Sequence, residues 1–174
     1  EELGLATRSQ ARLISALKTF FGFLLDEKLV AHDPTELLKA PKMGRKIPEV
    51  LTYFEIRELL AQIDMSLDHG LRDRALLETL YACGLRVSEA TNLKLTNLYF
   101  SEGFIRVTGK GNKERIVPIG GEAIRHLEMY LEYVRSGMPI KPEAENIVFL
   151  NRRGGSLSRI SVFTAVKKYA AGAG

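Results

Sequence analysis

The chain has 174 residues and a mass of 19.4 kDa, and its 45% of hydrophobic residues excludes wholesale disorder. Its net charge of +4 favours an anionic partner only weakly, while the single cysteine, Cys83, excludes an internal disulfide and a cysteine-based zinc site. No apolar run approaches the roughly 18 residues of a membrane span and no signal-peptide pattern opens the chain, so we expect a soluble cytoplasmic protein.

The first predicted element is an amphipathic helix that Thr7 is placed to cap. Its apolar residues recur at three- and four-residue spacing: Leu13, Leu17, Phe20, Phe21, Leu24 and Leu25. Asp33-Pro34 then predicts the start of a short second helix, TELLKA. Two helices over about 35 residues cannot form a stable core alone, so residues 1–40 are expected to be the back half of a helical domain.

A basic linker is predicted between two structural units. The segment PKMGRKIP carries Lys42, Arg45 and Lys46 between two prolines, and proline disfavours helix in the residue before it. We therefore predict a linker over residues 41–50 and a second domain over residues 51–174.

The second domain is predicted to begin with helices, after which the spacing of apolar residues changes to that of strands. Thr52 and Glu55 fit a capping box, and Gly84 fits the end of a helix over about 72–82. A third short helix is expected near 87–93. Segments 103–108 and 114–119 predict a β-hairpin around the loop GKGNK.

The remaining elements are a helix over 122–135, a strand at 146–150 and a last helix over about 160–170 that Ser158 or Ser161 could cap. The fold class is therefore mainly α with a small antiparallel β-sheet, an α+β arrangement.

Three basic clusters could carry function. Arg86 precedes a short helix, where its guanidinium could meet a phosphate, or it could pair with Glu89 three residues on. The hairpin loop offers Lys110 and Lys113, followed by Arg115, although lysines at a solvated hairpin tip need no function.

The third cluster lies in NRRGGSLSR, which has the Arg, Ser and Asn side chains that commonly contact phosphate. A basic loop without a ligand explains the same residues equally well. The pair His69 and Arg72 is interpreted as part of a solvated loop. His32 and His126 have no metal-ligating partner at a useful spacing, and Cys83 is interpreted as a small buried hydrophobe.

The segments GLRVSEATNLKL and VTGKGNKERIVPIG resemble the tyrosine site-specific recombinases, most closely those of the Xer type. The resemblance extends in order along nearly the whole chain. It implies a partial core-binding domain at 1–40 and an incomplete catalytic domain at 51–174, which together would clamp duplex DNA. It implies no metal or nucleotide cofactor, and other recombinase protomers as partners on DNA.

In that family a tyrosine attacks a phosphodiester to give a 3′-phosphotyrosyl link. Carried over by motif, Arg86 matches the first catalytic arginine, Lys110 the hairpin lysine that protonates the leaving oxygen, and Glu89 a supporting acid. The expected DNA contacts are the basic and hydroxyl side chains of the segments above, namely Arg8, Arg12, Lys42, Arg45, Lys46, Lys113, Arg115, Arg152, Arg153, Ser158 and Arg159.

The family's later His-Arg motif and nucleophilic tyrosine are not found in this sequence, and Tyr169 lies upstream of where they belong. We therefore expect an internal piece of a recombinase that is inactive by itself. Two alternatives stay open: a non-catalytic DNA-binding or architectural protein of the same fold, and a basic helical module with no DNA role. The DNA site, the partner recombinase and the biological task (dimer resolution, integration or inversion) do not follow from the sequence.

Overall fold

The computed structural model describes residues 4–42, 44 and 49–174. The chain divides into two compact units, Glu1–Val50 and Leu51–Gly174. The described residues are mainly helical with one three-stranded antiparallel sheet, which confirms the predicted fold class. Among them, no helix is both long enough and apolar enough to cross a membrane.

The first unit contains helix α1, Thr7–Asp26. Ala6 occupies the N-cap position and Thr7 is already helical, so the prediction of Thr7 as the cap is wrong. The predicted helix TELLKA is also wrong, because residues 34–37 form only a turn. Asp33 Oδ1 accepts hydrogen bonds from the Thr35 amide (2.8 Å) and hydroxyl (2.6 Å), as a helix cap would, but the 89% exposed Leu37 adds no burial that would extend the turn into a helix.

The second unit has five α-helices, α2 (Tyr53–Ala61), α3 (Asp68–Cys83), α4 (Val87–Thr91), α5 (Gly121–Tyr133) and α6 (Arg159–Ala173). Short 3₁₀ turns lie at Leu95–Asn97, Lys110–Asn112, Arg135–Gly137 and Pro142–Ala144. The predicted capping box is confirmed, since Thr52 and Glu55 each accept from the other's backbone amide. Gly84 ends α3 at φ 56°, as predicted.

The sheet has the order β1 (Leu98–Tyr99), β2 (Phe104–Thr108) and β3 (Glu114–Pro118), all antiparallel. The β2–β3 hairpin lies where the sequence predicts it, and its register places Val107 opposite Arg115. Strand β1 has two residues, too few to leave a periodic pattern in the sequence.

The main core lies between α3, α5 and the sheet, and its fully buried side chains include Leu76, Ile105, Leu127 and Phe149. A second, smaller cluster joins α2 to α6 through Leu59, Leu60, Ile63 and Tyr169. Together they give the second unit a rigid frame beneath α4 and the hairpin.

Segment 146–150, predicted as a strand, is fully buried at its end but forms only isolated bridges through Ile147 and Leu150. Backbone bonds to residues 93–95 and to residue 157 are supplemented by side chains. The Arg135 Nε donates to Ile147 O (3.0 Å), and the Tyr130 hydroxyl accepts from the Leu150 amide (3.1 Å). The apolar pattern thus reports burial, and the strand prediction is wrong because no strand lies alongside.

Candidate active site

Arg86 occupies the N-cap position of α4, directly after the buried Leu85. The left-handed Gly84 and the buried Leu85 fix the backbone there, while 77% of the Arg86 side chain is exposed. Its Nη1 lies 3.0 Å from Glu89 Oε1, so the pairing with Glu89 weighed in the sequence is present. The exposure leaves most of the guanidinium open to a ligand despite that pairing.

Glu89 is the buried centre of this cluster, with a side chain only 2% exposed. Its carboxylate accepts from the Arg86 amide (2.8 Å) and guanidinium (3.0 Å), and from Arg115 Nη1 (2.6 Å) and Nη2 (3.0 Å). The hydrogen bond from Arg115, together with the bonds from Arg86, outweighs burial and lowers the pKa of Glu89 from 4.5 to about 2. The carboxylate is therefore ionised at every physiological pH.

The β2–β3 hairpin lies close to the Glu89 carboxylate. A Cβ atom at Gly109 would lie 3.4 Å from Glu89 Oε1, and the Gly109 amide donates to Lys113 O (2.8 Å), which closes the loop. Gly111 has a positive φ of 75°, a conformation suited to glycine. Lys110 follows Gly109 directly and is exposed. Glu89 therefore joins the segment that carries Arg86 to the segment that carries Lys110.

Several of the other predicted DNA contacts are exposed. Lys113 is exposed, and so are Arg8 and Arg12 on α1 and Lys42 in the first unit. Arg45 and Lys46 lie outside the described residues. Arg115 differs from these, because both of its terminal nitrogens bind Glu89.

The loop that carries Arg152 and Arg153 is a tight turn organised by Asn151. The Asn151 Oδ1 accepts from the amides of Arg153 (2.9 Å) and Gly155 (3.3 Å). Gly154 has a φ of 73° and is packed so closely that a Cβ atom there would lie 1.7 Å from Pro139 O. Both arginines are exposed on this rigid turn.

Residues of the third basic cluster line two cavities. Arg152 lines a cavity of about 680 Å³ together with His69 and Arg72. Ser158 and Arg159, by contrast, line a separate cavity of about 630 Å³ beside Val87 of α4. Residues that are close in the sequence thus line two different cavities.

Ser158 caps α6, as its hydroxyl accepts from the Ser161 amide (3.0 Å). This decides between the two caps considered in the sequence and identifies Ser158 as the cap.

A buried polar network connects α3 to α6. Arg72 donates to Asp73 through Nε (2.9 Å) and Nη2 (2.7 Å) and to Leu150 O through Nη1 (3.3 Å). The interpretation of His69 and Arg72 as a solvated loop is therefore wrong, since both lie in α3 and the Arg72 side chain is 15% exposed. The Tyr169 hydroxyl completes the network by donating to Asp73 Oδ2 (2.9 Å).

Tyr169 is unsuited to act as a nucleophile. It is 3% exposed, and burial, together with the hydrogen bond to Asp73, raises the pKa of its hydroxyl above the ordinary value of 10. Cys83 is buried as expected, and burial raises the pKa of its thiol to about 11. Among the described residues, no group of three or more His, Cys, Asp or Glu side chains could hold a metal ion.

Three comparisons with known proteins show what the chain is similar to. Residues 49–174 match the phage integrase family. The chain is 43% identical to the tyrosine recombinase XerD of Staphylococcus epidermidis over 168 residues, which are 97% of this chain and 57% of that protein. It is 44% identical to XerD of Chlorobaculum tepidum over 179 aligned positions, which cover 99% of this chain and 58% of that protein.

Among solved structures, the chain resembles the XerH site-specific recombinase bound to difH substrate in a pre-cleavage complex, with a TM-score of 0.76 and 25% identity. The match covers 99% of this chain and 50% of that one. The chain thus spans a little more than half the length of the curated relatives it matches.

Proposed function

Because this chain belongs to the phage integrase family, we propose that it is part of a site-specific DNA recombinase that breaks and rejoins strands through a 3′-phosphotyrosyl intermediate. The predicted resemblance to Xer-type tyrosine recombinases is confirmed by the two XerD relatives. The reaction, its DNA substrate and its partners belong to this proposal, as does a location in the cytoplasm.

The observation that supports the proposal most strongly is the buried Glu89 carboxylate, which binds Arg86 beside α4 and Arg115 on the hairpin. The proposed role of Arg86 is to hold the non-bridging oxygens of the scissile phosphate, where charge increases in the transition state. Lys110 would protonate the leaving 5′-oxygen, a role that an exposed ammonium on a short loop can perform.

We propose that residues 1–40 belong to a core-binding domain, 41–50 to a linker and 51–174 to the catalytic domain. The boundary between the two compact units, after Val50, is compatible with this division. We assign the nucleophile to none of the tyrosines in this sequence, because in the family it follows a second arginine motif that the sequence does not contain.

Duplex DNA and further recombinase protomers are the proposed partners. The XerH structure was solved with its own DNA substrate, which supports a similar partner here. The exposed cations Lys110, Lys113, Arg152 and Arg153 supply charge for phosphate contacts. Binding should therefore weaken steeply with salt, by about 0.9 units of log K per unit of log salt for each phosphate neutralised.

The test is made in the whole recombinase of which this chain is proposed to be part. Arg86 is replaced with Ala, and cleavage of a nicked duplex target is measured. Loss of a cation that stabilises the transition state costs about 3–4 kcal/mol, so cleavage should fall by roughly 10²- to 10³-fold. Arg125→Ala is the matched control, because Arg125 also pairs with a glutamate three residues away and is 58% exposed.

Cleavage by Arg86→Ala within a few-fold of the unmodified protein would refute the role of Arg86. If the unmodified protein binds duplex DNA with this salt dependence and never cleaves it, the alternative of a non-catalytic DNA-binding protein is favoured instead.

A further inference from the structure

We propose that Arg115 is a positioning residue and not a DNA contact. Through Glu89 it fastens the β2–β3 hairpin to α4, and so holds Lys110 in place relative to Arg86. The proposal rests on the proposed function, in which Arg86 and Lys110 act on one phosphate. It differs from the expectation drawn from the sequence, where Arg115 is one of the cations for DNA.

The geometry of the contact is that of a two-point clamp. Arg115 Nη1 lies 2.6 Å from Glu89 Oε1 and Nη2 lies 3.0 Å from Oε2, so two parallel hydrogen bonds hold the planes of both groups. The carboxylate is 2% exposed and the Arg115 side chain 41% exposed. The clamp therefore has its acidic half fixed in the fold and its basic half on the hairpin.

The position of Arg115 on the hairpin explains how its bonds to Glu89 would fix the position of Lys110. Arg115 lies on β3 opposite Val107 of β2, and Gly109 and Lys113 close the loop between the two strands through one backbone hydrogen bond. Lys110 starts the turn inside that loop. Releasing Arg115 would free β3 at its loop end, and the loop would move with it.

The other cations of the hairpin have different surroundings. Lys110 and Lys113 are exposed, and Arg106 lies over the Tyr99 ring and 3.6 Å from the half-exposed Glu114. Of the described hairpin cations, Arg115 is the one paired with a buried carboxylate. A lysine could keep the charge of Arg115 but could not form both parallel hydrogen bonds in one plane.

The test separates positioning from phosphate contact by two measurements on Arg115→Met, Arg115→Lys and Lys113→Met. The first is hydrogen exchange at the Gly109 amide, which the loop protects. The second is the salt dependence of binding to a duplex carrying the protein's target, where loss of one phosphate contact lowers the slope by about 0.9. Circular dichroism checks that each variant is folded.

We expect exchange at Gly109 to accelerate about tenfold or more in both Arg115 variants, because local opening becomes easier, with the salt slope unchanged. Lys113→Met should show the reverse pattern. In the protein as its gene encodes it, Arg115→Met should slow single-turnover cleavage by about 10- to 100-fold at constant DNA affinity, the cost of a misplaced catalytic group.

A salt slope lowered by about 0.9 in Arg115→Met, or unchanged exchange at Gly109, overturns the proposal. Exchange in Arg115→Lys equal to that of the unmodified protein would show that charge suffices, and overturns the two-point clamp. If the unmodified protein neither binds nor cleaves DNA, the proposed function fails, but the exchange measurement still decides whether Arg115 fixes the hairpin.

Discussion

Replacing Gly154 with Ala should be among the most damaging small substitutions in the second unit. Gly154 lies in the turn that presents Arg152 and Arg153, and its φ of 73° is rarely adopted by residues with a side chain. The added Cβ atom would lie 1.7 Å from Pro139 O and 2.8 Å from the Pro139 carbonyl carbon. Both obstacles are backbone atoms, so no side chain can rotate away to relieve the contact.

The loss of free energy of unfolding expected for Gly154→Ala has two parts. A left-handed conformation costs an L-residue about 1–2 kcal/mol, and forcing extra volume into a packed site costs about 1–3 kcal/mol more. Gly154→Ala should therefore lower the free energy of unfolding by about 2–5 kcal/mol. Gly84 allows the conformational part to be measured by itself. Its φ is 56°, and no neighbouring atom lies within 4 Å of an added Cβ. Gly84→Ala should cost only the conformational part, about 1–2 kcal/mol.

Urea unfolding followed by circular dichroism measures both costs by linear extrapolation. Gly121→Ala, at the first position of α5 with open space around it, serves as a control and should change the stability little. Equal losses for Gly154→Ala and Gly84→Ala would refute the reasoning, since they would show that the approach of Pro139 adds nothing.

Two further predictions concern buried polar groups. Glu89→Gln should destabilise the fold by about 1–2 kcal/mol at pH 7, after allowance for solvent around the exposed arginines. Because the pKa of Glu89 is lowered to about 2, its ionised form stabilises the fold above about pH 4.5, and that contribution is lost as the pH falls through about 2. The stability difference in urea should therefore shrink as the pH falls from 5 towards 2, and a difference independent of pH would contradict this account. Tyr169→Phe should cost about 1–3 kcal/mol in the same assay, because it removes a buried hydrogen bond to Asp73 Oδ2. A loss below the error of the extrapolation would show that Asp73 is satisfied by Arg72 alone.

Features set by a few adjacent residues could be predicted from the sequence. The capping box at Thr52, the helix end at Gly84 and the hairpin around Gly111 each depend on local backbone chemistry. The same local signals failed at Thr35 and at segment 146–150. At Thr35 the exposed Leu37 adds no burial that would extend the turn into a helix, and at 146–150 burial occurs without a neighbouring strand.

The site was predictable only where its contacts are close in sequence. The spacing of Arg86 and Glu89 already suggested their pairing. The bond from Arg115 to Glu89 spans 26 positions, and the bond from Tyr169 to Asp73 spans 96. No sequence pattern marks such pairs, because the tertiary packing brings them together. Asp73 was missed for this reason, since in the sequence it is one charged residue in a helix rich in charge.

The cluster around Glu89 holds one negative and two positive charges, a surplus of 2 − 1 = +1. A simple pair of Arg86 with Glu89 would have cancelled the charge of Arg86 before any ligand arrived. With Arg115 sharing the same carboxylate, the surplus remains, and most of the Arg86 side chain is open to solvent. An arriving anion could thus be neutralised without breaking an internal ion pair. A group that gains negative charge as it reacts would be favoured increasingly as that charge develops.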